Sequence, residues 1–226
     1  MPTTPLDPTW QLHSLGALRL ERDGQTYTPA RKKARALLLF LALSRRPHSR
    51  DSLISWFWPD LESRQGRASL RSTLSDLNRT LENDWVVHEG DALRFNEAFP
   101  ATIDALQLLA ACRQKQLLPL EQLYLWSGEL AEGFRLPGCD AFEEWLYFQR
   151  GSLRQAFLEL LELKVASASG HGEWDKMADA ARLWISCDPL SEKAHLALIQ
   201  ALAVSGRVDQ ALDQYQLLKT SLHNEL

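Results

Sequence analysis

The chain has 226 residues, enough for one large or two modest domains, and we favour two. Its composition, with 45% hydrophobic, 24% charged and 9% aromatic residues, is that of a globular protein with a packed core, which excludes disordered, collagen-like and coiled-coil chains. The net charge of −4 is unevenly spread along the chain. Residues 1–97 hold 14 basic and 12 acidic side chains, whereas residues 98–226 hold 11 basic and 17 acidic ones. Within the first part, the segment 31–79 holds eleven basic and four acidic side chains, a local charge of +7.

The first part of the chain predicts a small sheet followed by a helix. Apolar and polar positions alternate over residues 10–28, and Asp23-Gly24 is a typical hairpin turn, so we expect a small antiparallel sheet. Thr28-Pro29 predicts the start of the first helix, with the threonine as N-cap and the proline in the first turn. This helix should end near Pro47, and its apolar stripe is formed by Leu37, Leu38, Leu41 and Ala42.

Two more helices are predicted before residue 82. Ser49 should cap a short helix that ends at Pro59. A longer helix is expected from about Ser63 to Leu81, because leucines recur there at intervals of three and four residues, at Leu70, Leu74, Leu77 and Leu81. At 100° per residue, the opposite face collects side chains that are hydrogen-bond donors, namely Arg64, Arg71, Ser72, Ser75 and Arg79.

A β-hairpin is predicted directly after these helices. Residues 85–88 and 92–95 have the pattern of two short strands around the turn Glu89-Gly90-Asp91. A sheet, three helices and a hairpin in this order make a winged helix-turn-helix, whose third helix enters the major groove of DNA, where arginine pairs with guanine O6 and N7. A charged helix face taken alone is more often merely solvated. The order of the elements and the +7 segment favour base contacts by the five side chains of the polar face.

Further basic side chains are candidates for contacts with phosphates. Lys32 and Lys33 fall in the first turn of the first helix, where each cation opposes the helix dipole by about 0.3–1 kcal/mol, so a bound phosphate would account for them. Exposed lysines are nevertheless tolerated at such positions. Arg50 follows the cap of the second helix, and Arg94 could reach from the wing toward the minor groove. We therefore expect phosphate contacts from Lys32, Lys33, Arg50, Arg67 and Arg94.

The second half of the chain predicts helices alone. From Thr102 onward strand patterns disappear, and Gly138, Gly172 and Gly206 recur every 34 residues, the period of tetratricopeptide helix pairs. Glycine spacing by itself could arise by chance. The expected fold is mainly α with small β elements: a winged helix-turn-helix DNA-binding domain over residues 1–97, then an all-α tetratricopeptide-like domain over residues 98–226.

Several other classes of protein are not indicated. The three cysteines lie far apart without a CxxC spacing, which argues against a disulfide framework or a cysteine-rich zinc site and fits a reducing cytoplasm. The longest apolar run covers residues 36–43, well short of the roughly twenty that cross a bilayer, so we expect no membrane partner. The histidines lack metal-ligand spacing, and no phosphate loop or common hydrolase motif occurs, so we expect no metal, no cofactor and no enzyme.

Motifs along the whole chain resemble one family of bacterial regulators. The first half resembles the winged-helix domain of SARP-type activators, the antibiotic regulatory proteins, through Arg31–Leu38, His48–Ile54, Trp58–Asp60 and Leu70–Leu81. The second half resembles the bacterial transcriptional activation domain that follows it in that family, through Trp126–Leu130, Ala141–Trp145, Asp188–His195 and Gly206–Tyr215. The two modules occur here in the family's order.

The resemblance implies a sequence-specific transcriptional activator. Members bind direct repeats in promoters as side-by-side protomers and recruit RNA polymerase through its sigma factor, so the implied partners are double-stranded DNA, RNA polymerase and a second copy of the chain. The chain departs from relatives at Asp76 and Asn78, and Glu89 and Asp91 make its wing acidic, which should lower its affinity for phosphates. Relatives continue past a similar Glu-Leu pair, so ATPase or sensor domains could belong to a longer regulator.

One alternative function comes from another class of protein. The helical half could bind a peptide and the winged helix could dock onto a protein, which would make the chain an interaction scaffold. A DNA-dependent ATPase would need a phosphate loop, which these residues lack, so it is an option only for a longer parent protein.

Overall fold

The computed structural model describes residues 9–82, 84–126 and 128–225, with side chains as far as Thr220. Residues 1–8 of the expected first domain, Asn83, Ser127 of the Trp126–Leu130 motif and Leu226 lie outside the described residues. The chain divides into two compact units: residues 1–107 with 128–151, and residues 108–127 with 152–226. The expected functional boundary between residues 97 and 98 stays a prediction.

The first unit opens with a four-stranded sheet. Its strands are β1 (Trp10–His13), β2 (Arg19–Arg22), β3 (Gln25–Tyr27) and β7 (Ala101–Ile103), in the order β3-β2-β1-β7. The predicted antiparallel hairpin is confirmed, and Asp23 and Gly24 both have positive φ, 53° and 74°, as a tight two-residue turn requires. Strand β7, parallel to β1, was not expected, because three residues are too few to show an alternating pattern.

Three helices follow β3: α1 (Lys32–Ser44), α2 (Arg50–Phe57) and α3 (Ser63–Leu81). The prediction that Thr28-Pro29 starts the first helix is wrong, since Arg31 is the N-cap and the chain stays extended from β3 until it has buried Pro29. Pro29 lies beside Leu12 and Leu38, so packing against the sheet prevails over the local helix signal.

The remaining helix predictions are confirmed. The Ser49 hydroxyl caps α2 by accepting a hydrogen bond from the Ser52 amide at 3.1 Å. The third helix has the predicted bounds, and its leucine stripe is buried. Gly66 lets α3 approach α2 closely, because a Cβ at that position would collide with the Cγ2 methyl of Ile54.

The predicted wing follows α3. Strands β5 (Val86–Glu89) and β6 (Ala92–Phe95) form the hairpin, and the two-residue strand β4 (His48–Ser49) adds to β6, giving the order β4-β6-β5. Trp85, at the base of the wing, is fully buried, and its indole N–H donates to Asn78 Oδ1 on α3 at 2.7 Å. This hydrogen bond ties the wing to the helix beside it.

A single carboxylate joins the end of β1 to the chain beyond the wing. Asp104 accepts hydrogen bonds from the backbone amides of Ser14 at 2.8 Å, Leu15 at 3.0 Å and Ala105 at 2.7 Å, and also from the Ser14 hydroxyl. Leu15 in turn forms a β-bridge with Leu130. Residues after the wing are thus part of the framework of the first unit.

The rest of the chain is helical, as predicted. The helices are α4 (Asp104–Arg113), α5 (Leu120–Leu125), α6 (Asp140–Gly170), α7 (Trp174–Cys187), α8 (Glu192–Val204) and α9 (Val208–Glu225). Helices α7 and α9 start 34 residues apart, and Gly172 and Gly206, both with positive φ, stand just before them. Helix α8 packs against both α7 and α9, the arrangement of a tetratricopeptide-like repeat. Among the described residues, no helix is long and apolar enough to cross a membrane.

Candidate nucleic-acid interface

The exposed face of α3 carries the five side chains predicted to contact bases. Its other face is buried through the leucine stripe, which leaves Arg64, Arg71, Ser72, Ser75 and Arg79 on the surface. Within the described part of the chain, no hydrogen bond or ion pair engages the side chains of Arg64 and Arg79, so two guanidinium groups are free for an external partner.

A groove lies between α3 and the wing. Its volume is about 830 Å³, and it is lined by Arg50, Arg67, Leu70, Arg71, Leu74, Ser75, Asn78, His88 and Asp91. Four of the predicted site residues meet there: Arg50, Arg67, Arg71 and Ser75. The other six are not in its lining: Lys32, Lys33, Arg64, Ser72, Arg79 and Arg94.

Arg50 is held in place by the wing. Its Nη2 lies 2.9 Å from His88 Nδ1, its Nε lies 3.7 Å from Asp91 Oδ1, and its backbone amide donates to the Asp91 carbonyl at 3.0 Å. Because a guanidinium can only donate, His88 Nδ1 is the acceptor in this hydrogen bond. The groove therefore presents a guanidinium in a fixed position, which suits recognition of an anion.

His88 and Asp91 line the groove and contact Arg50, but they were not among the predicted site residues. They contact Arg50 across about forty residues of sequence, and no local pattern announces such a pairing. The only sequence signal was the acidity of the wing, which marked Asp91 as a residue that lowers the affinity for phosphates.

Arg67 is partly neutralised by an acid on α2. Its Nη2 lies 3.2 Å from Asp51 Oδ1, and both side chains are more than half exposed. Arg71 Nε lies 3.4 Å from the Arg67 carbonyl, the next turn back on α3. Exposed ion pairs of this kind contribute only about 0–1 kcal/mol, so a phosphate can displace Asp51 at little cost.

Ser72 is engaged from outside α3. Arg31 Nη1 donates to Ser72 Oγ at 2.6 Å, and the Arg31 backbone amide lies 3.4 Å from Asp76 Oδ2. The Ser72 oxygen accepts here, which leaves its own hydrogen for another acceptor. Arg31 thus lies at the edge of the candidate interface, although it was not among the predicted contact residues.

Three predicted phosphate-contacting residues have partners inside the first unit. Lys32 Nζ lies 5.4 Å from the centre of the Phe134 ring, and Lys33 Nζ lies 5.4 Å from that of Trp58. Arg94 is paired with Glu89, with Nη2 to Oε1 at 2.8 Å, and lies 3.7 Å from Glu97. A phosphate would have to compete with these contacts, just as it would have to compete with His88 and Asp91 for Arg50 and with Asp51 for Arg67. Arg50, Arg67 and Arg71 differ from these three in that they line the groove.

A buried histidine beside the groove adds no charge to it. His48 precedes the cap of α2, and its Nε2 lies 2.9 Å from Ser44 Oγ. Burial, reinforced by the charge of Arg46, lowers the pKa of His48 below its usual 6.5. His48 is therefore neutral at pH 7, and the arginines set the positive charge of this region.

A family model matches the second half of the chain. The bacterial transcriptional activator domain covers residues 91–226, which is more than half of the chain. This match includes strand β6 of the wing and all of the helical repeat.

Full-length comparisons extend the likeness to the first half. The regulatory proteins AfsR of Streptomyces coelicolor and of Streptomyces griseus are each 28% identical over 226 residues, which cover 94% of this chain and 22% of the relative. The chain therefore spans about a fifth of the length of these relatives.

A solved structure shows the same fold. Mycobacterium tuberculosis EmbR, in complex with a low-affinity phosphopeptide, matches 97% of this chain and 61% of its own chain, with a TM-score of 0.68 and 23% sequence identity. The predicted fold class, a winged helix-turn-helix followed by a tetratricopeptide-like helical domain, is confirmed.

Proposed function

The chain belongs to the family defined by the bacterial transcriptional activator domain, and we propose that it regulates transcription by binding specific sequences of double-stranded DNA. The resemblance to SARP-type activators supports activation rather than repression. In this proposal two protomers bind side by side to direct repeats in a promoter, and the protein contacts RNA polymerase through its sigma factor. As a regulator of this kind it works on the chromosome in the cytoplasm, without a catalytic step.

One observation carries the proposal: the polar face of α3 and the groove beside it present five guanidinium groups. Arg64, Arg71 and Arg79 are exposed over about four turns of one helix, and Arg50 and Arg67 line the groove beside them. An α-helix fits the major groove, and forked guanidinium groups match both guanine edges and phosphates. We assign base reading to the exposed face of α3 and phosphate contacts first to Arg50 and Arg67.

The other predicted phosphate contacts have a secondary role in the proposal. Lys32 and Lys33 would have to leave their aromatic partners, and Arg94 would have to leave Glu89, before they could reach DNA. We assign them to outer contacts that form only when DNA is present.

The test is a selection of bound sequences from random duplexes, followed by gel shifts with competitor DNA. The wild-type chain should select one repeated sequence motif. A triple variant with Arg64, Arg71 and Arg79 changed to Gln should lose it, whereas the charge-matched control with Arg113, Arg135 and Arg182 changed to Gln should keep it. A chain that selects no motif, or a control that fails equally, contradicts the proposal.

The alternative function, an interaction scaffold, is favoured by exposed apolar side chains on the last two helices. Leu196 on α8 and Leu212, Tyr215 and Leu217 on α9 are each at least half exposed. A scaffold would give no sequence-selective shift, so the same experiment separates the two functions.

A further inference from the structure

Asn78 differs from the other polar side chains of the groove, because one end of its amide is already occupied. Its Oδ1 accepts the indole N–H of Trp85 at 2.7 Å. An indole nitrogen is only a donor, so the oxygen of the amide must face Trp85 and the NH₂ group must be the other end. Trp85 is fully buried, which fixes this orientation.

The free end of this amide belongs to the groove. Asn78 lines the groove together with Ser75 and Arg71, which lie one and two turns before it on the same side of α3. No described residue accepts a hydrogen bond from Asn78 Nδ2. The groove therefore contains an oriented pair of N–H donors beside its guanidinium groups.

We infer that Asn78 is a specificity-determining residue, which donates to an acceptor on a base edge in the major groove. This inference rests on the proposed DNA binding. Guanine N7 and O6, adenine N7 and thymine O4 are acceptors on those edges, whereas cytosine presents only the N4 amino group, which is a donor. Trp85 acts on recognition only through Asn78, as a positioning residue.

Because the orientation of the amide is known, one substitution can reverse the hydrogen-bonding role of the Asn78 side chain in the groove. In Asn78→Asp the carboxylate keeps an oxygen for the Trp85 N–H but replaces both donors by an acceptor of the same shape. Because carboxylates accept from cytosine N4, the preferred base at one position should change from an acceptor-bearing base to cytosine. The other positions of the selected motif should not change.

The experiment is the selection from random duplexes, carried out in parallel with the wild type, Asn78→Asp, Trp85→Phe and the control Ser55→Asp. Ser55 is exposed on α2, so its substitution adds the same negative charge outside the groove. Asn78→Asp should change the preference at one position by at least about fivefold, the effect of roughly 1 kcal/mol. Trp85→Phe should weaken the preference at that position, and Ser55→Asp should lower the affinity for all sequences alike.

The outcomes separate this inference from the proposed function. If the wild type selects a motif and Asn78→Asp selects the same motif at every position, the inference is wrong and DNA binding stands. If the wild type selects no motif, both fail. If Asn78→Asp does not unfold cooperatively, the double variant Asn78→Ala/Trp85→Phe replaces it, because removing both partners leaves no buried donor unsatisfied. That variant should lose the preference at the same position, and an unchanged preference contradicts the inference.

Discussion

Arg67 on α3 and Asp51 on α2 form an ion pair across the helix-turn-helix, with 3.2 Å between Nη2 and Oδ1. Arg67 lines the groove, and Asp51 neutralises part of its charge. If the protein binds DNA as proposed, this acid would compete with a phosphate for Arg67.

Removing this competition should strengthen binding to DNA of any sequence. In Asp51→Asn, Arg67 loses its internal partner, so we expect the affinity to rise by a few-fold, in line with about 0–1 kcal/mol for an exposed pair. Gel shifts with specific and random duplexes measure it. Glu82→Gln is the matched control, since it changes the charge equally but frees Arg22 at the sheet. A gain restricted to the specific duplex would assign Arg67 to base reading.

Arg71 should contribute to specificity. Arg71→Ala is expected to weaken binding to the selected site by about 1–3 kcal/mol and to affect random DNA little. Arg71→Lys retains the charge without the planar fork, so it should recover binding to random DNA but not the discrimination. Equal losses on both duplexes for Arg71→Ala would reassign the residue to a phosphate.

Binding should depend strongly on salt. With about four to six phosphates neutralised, the logarithm of the association constant should fall against the logarithm of the salt concentration with a slope of roughly −4 to −5. Titrations of a labelled duplex between low and physiological salt measure the slope. A flat response would contradict the assignment of the arginines to the interface.

Gly66 should be required for stability. In Gly66→Ala the new methyl collides with the buried Ile54, and overpacking of this kind costs about 1–3 kcal/mol, more than alanine's higher helix propensity recovers. Urea unfolding should show a lower midpoint. Gly151→Ala on α6 is the control, because its methyl meets nothing within 4 Å and should raise the midpoint. A stabilised Gly66→Ala would mean that the two helices can move apart freely.

Cys112 should be a poor nucleophile. Burial and the Glu159 carboxylate, which accepts its S–H at 3.1 Å, raise the pKa of the Cys112 thiol to about 11. The thiolate is therefore scarce at pH 7–8, and the alkylation rate measured by mass spectrometry should keep increasing with pH until it levels off near pH 11. Glu159→Gln should lower the pKa and speed alkylation at pH 8. An inflection near pH 8.5 in the wild type would contradict this account.

Sequence reasoning succeeded where a pattern is local and repeated. The leucine spacing of α3 and the Asp23-Gly24 turn predicted the third helix and the first hairpin at the right places, because helix and hairpin geometry each depend on neighbouring residues. The 34-residue glycine period predicted the helical repeat, because a glycine with positive φ stands just before both α7 and α9.

Predictions from the sequence failed where residues far apart in the chain determine the local structure. The first helix starts at Lys32 because Pro29 packs on the sheet, and β7 exists because β1 supplies a partner some ninety residues earlier in the chain. The setting of Arg50 depends on His88, which is 38 residues away. Contacts of this kind follow from the assembled fold, so composition and periodicity do not contain them.

The carboxylate of Asp104 sets a practical limit on dissecting this protein. A fragment excised at residue 97 would lose β7 and leave the amides of Ser14 and Leu15 without their acceptor, so the first sheet would lose one of its edges. Because the first compact unit also includes residues 128–151, transferring that unit to another protein requires more of the chain than the winged helix-turn-helix itself.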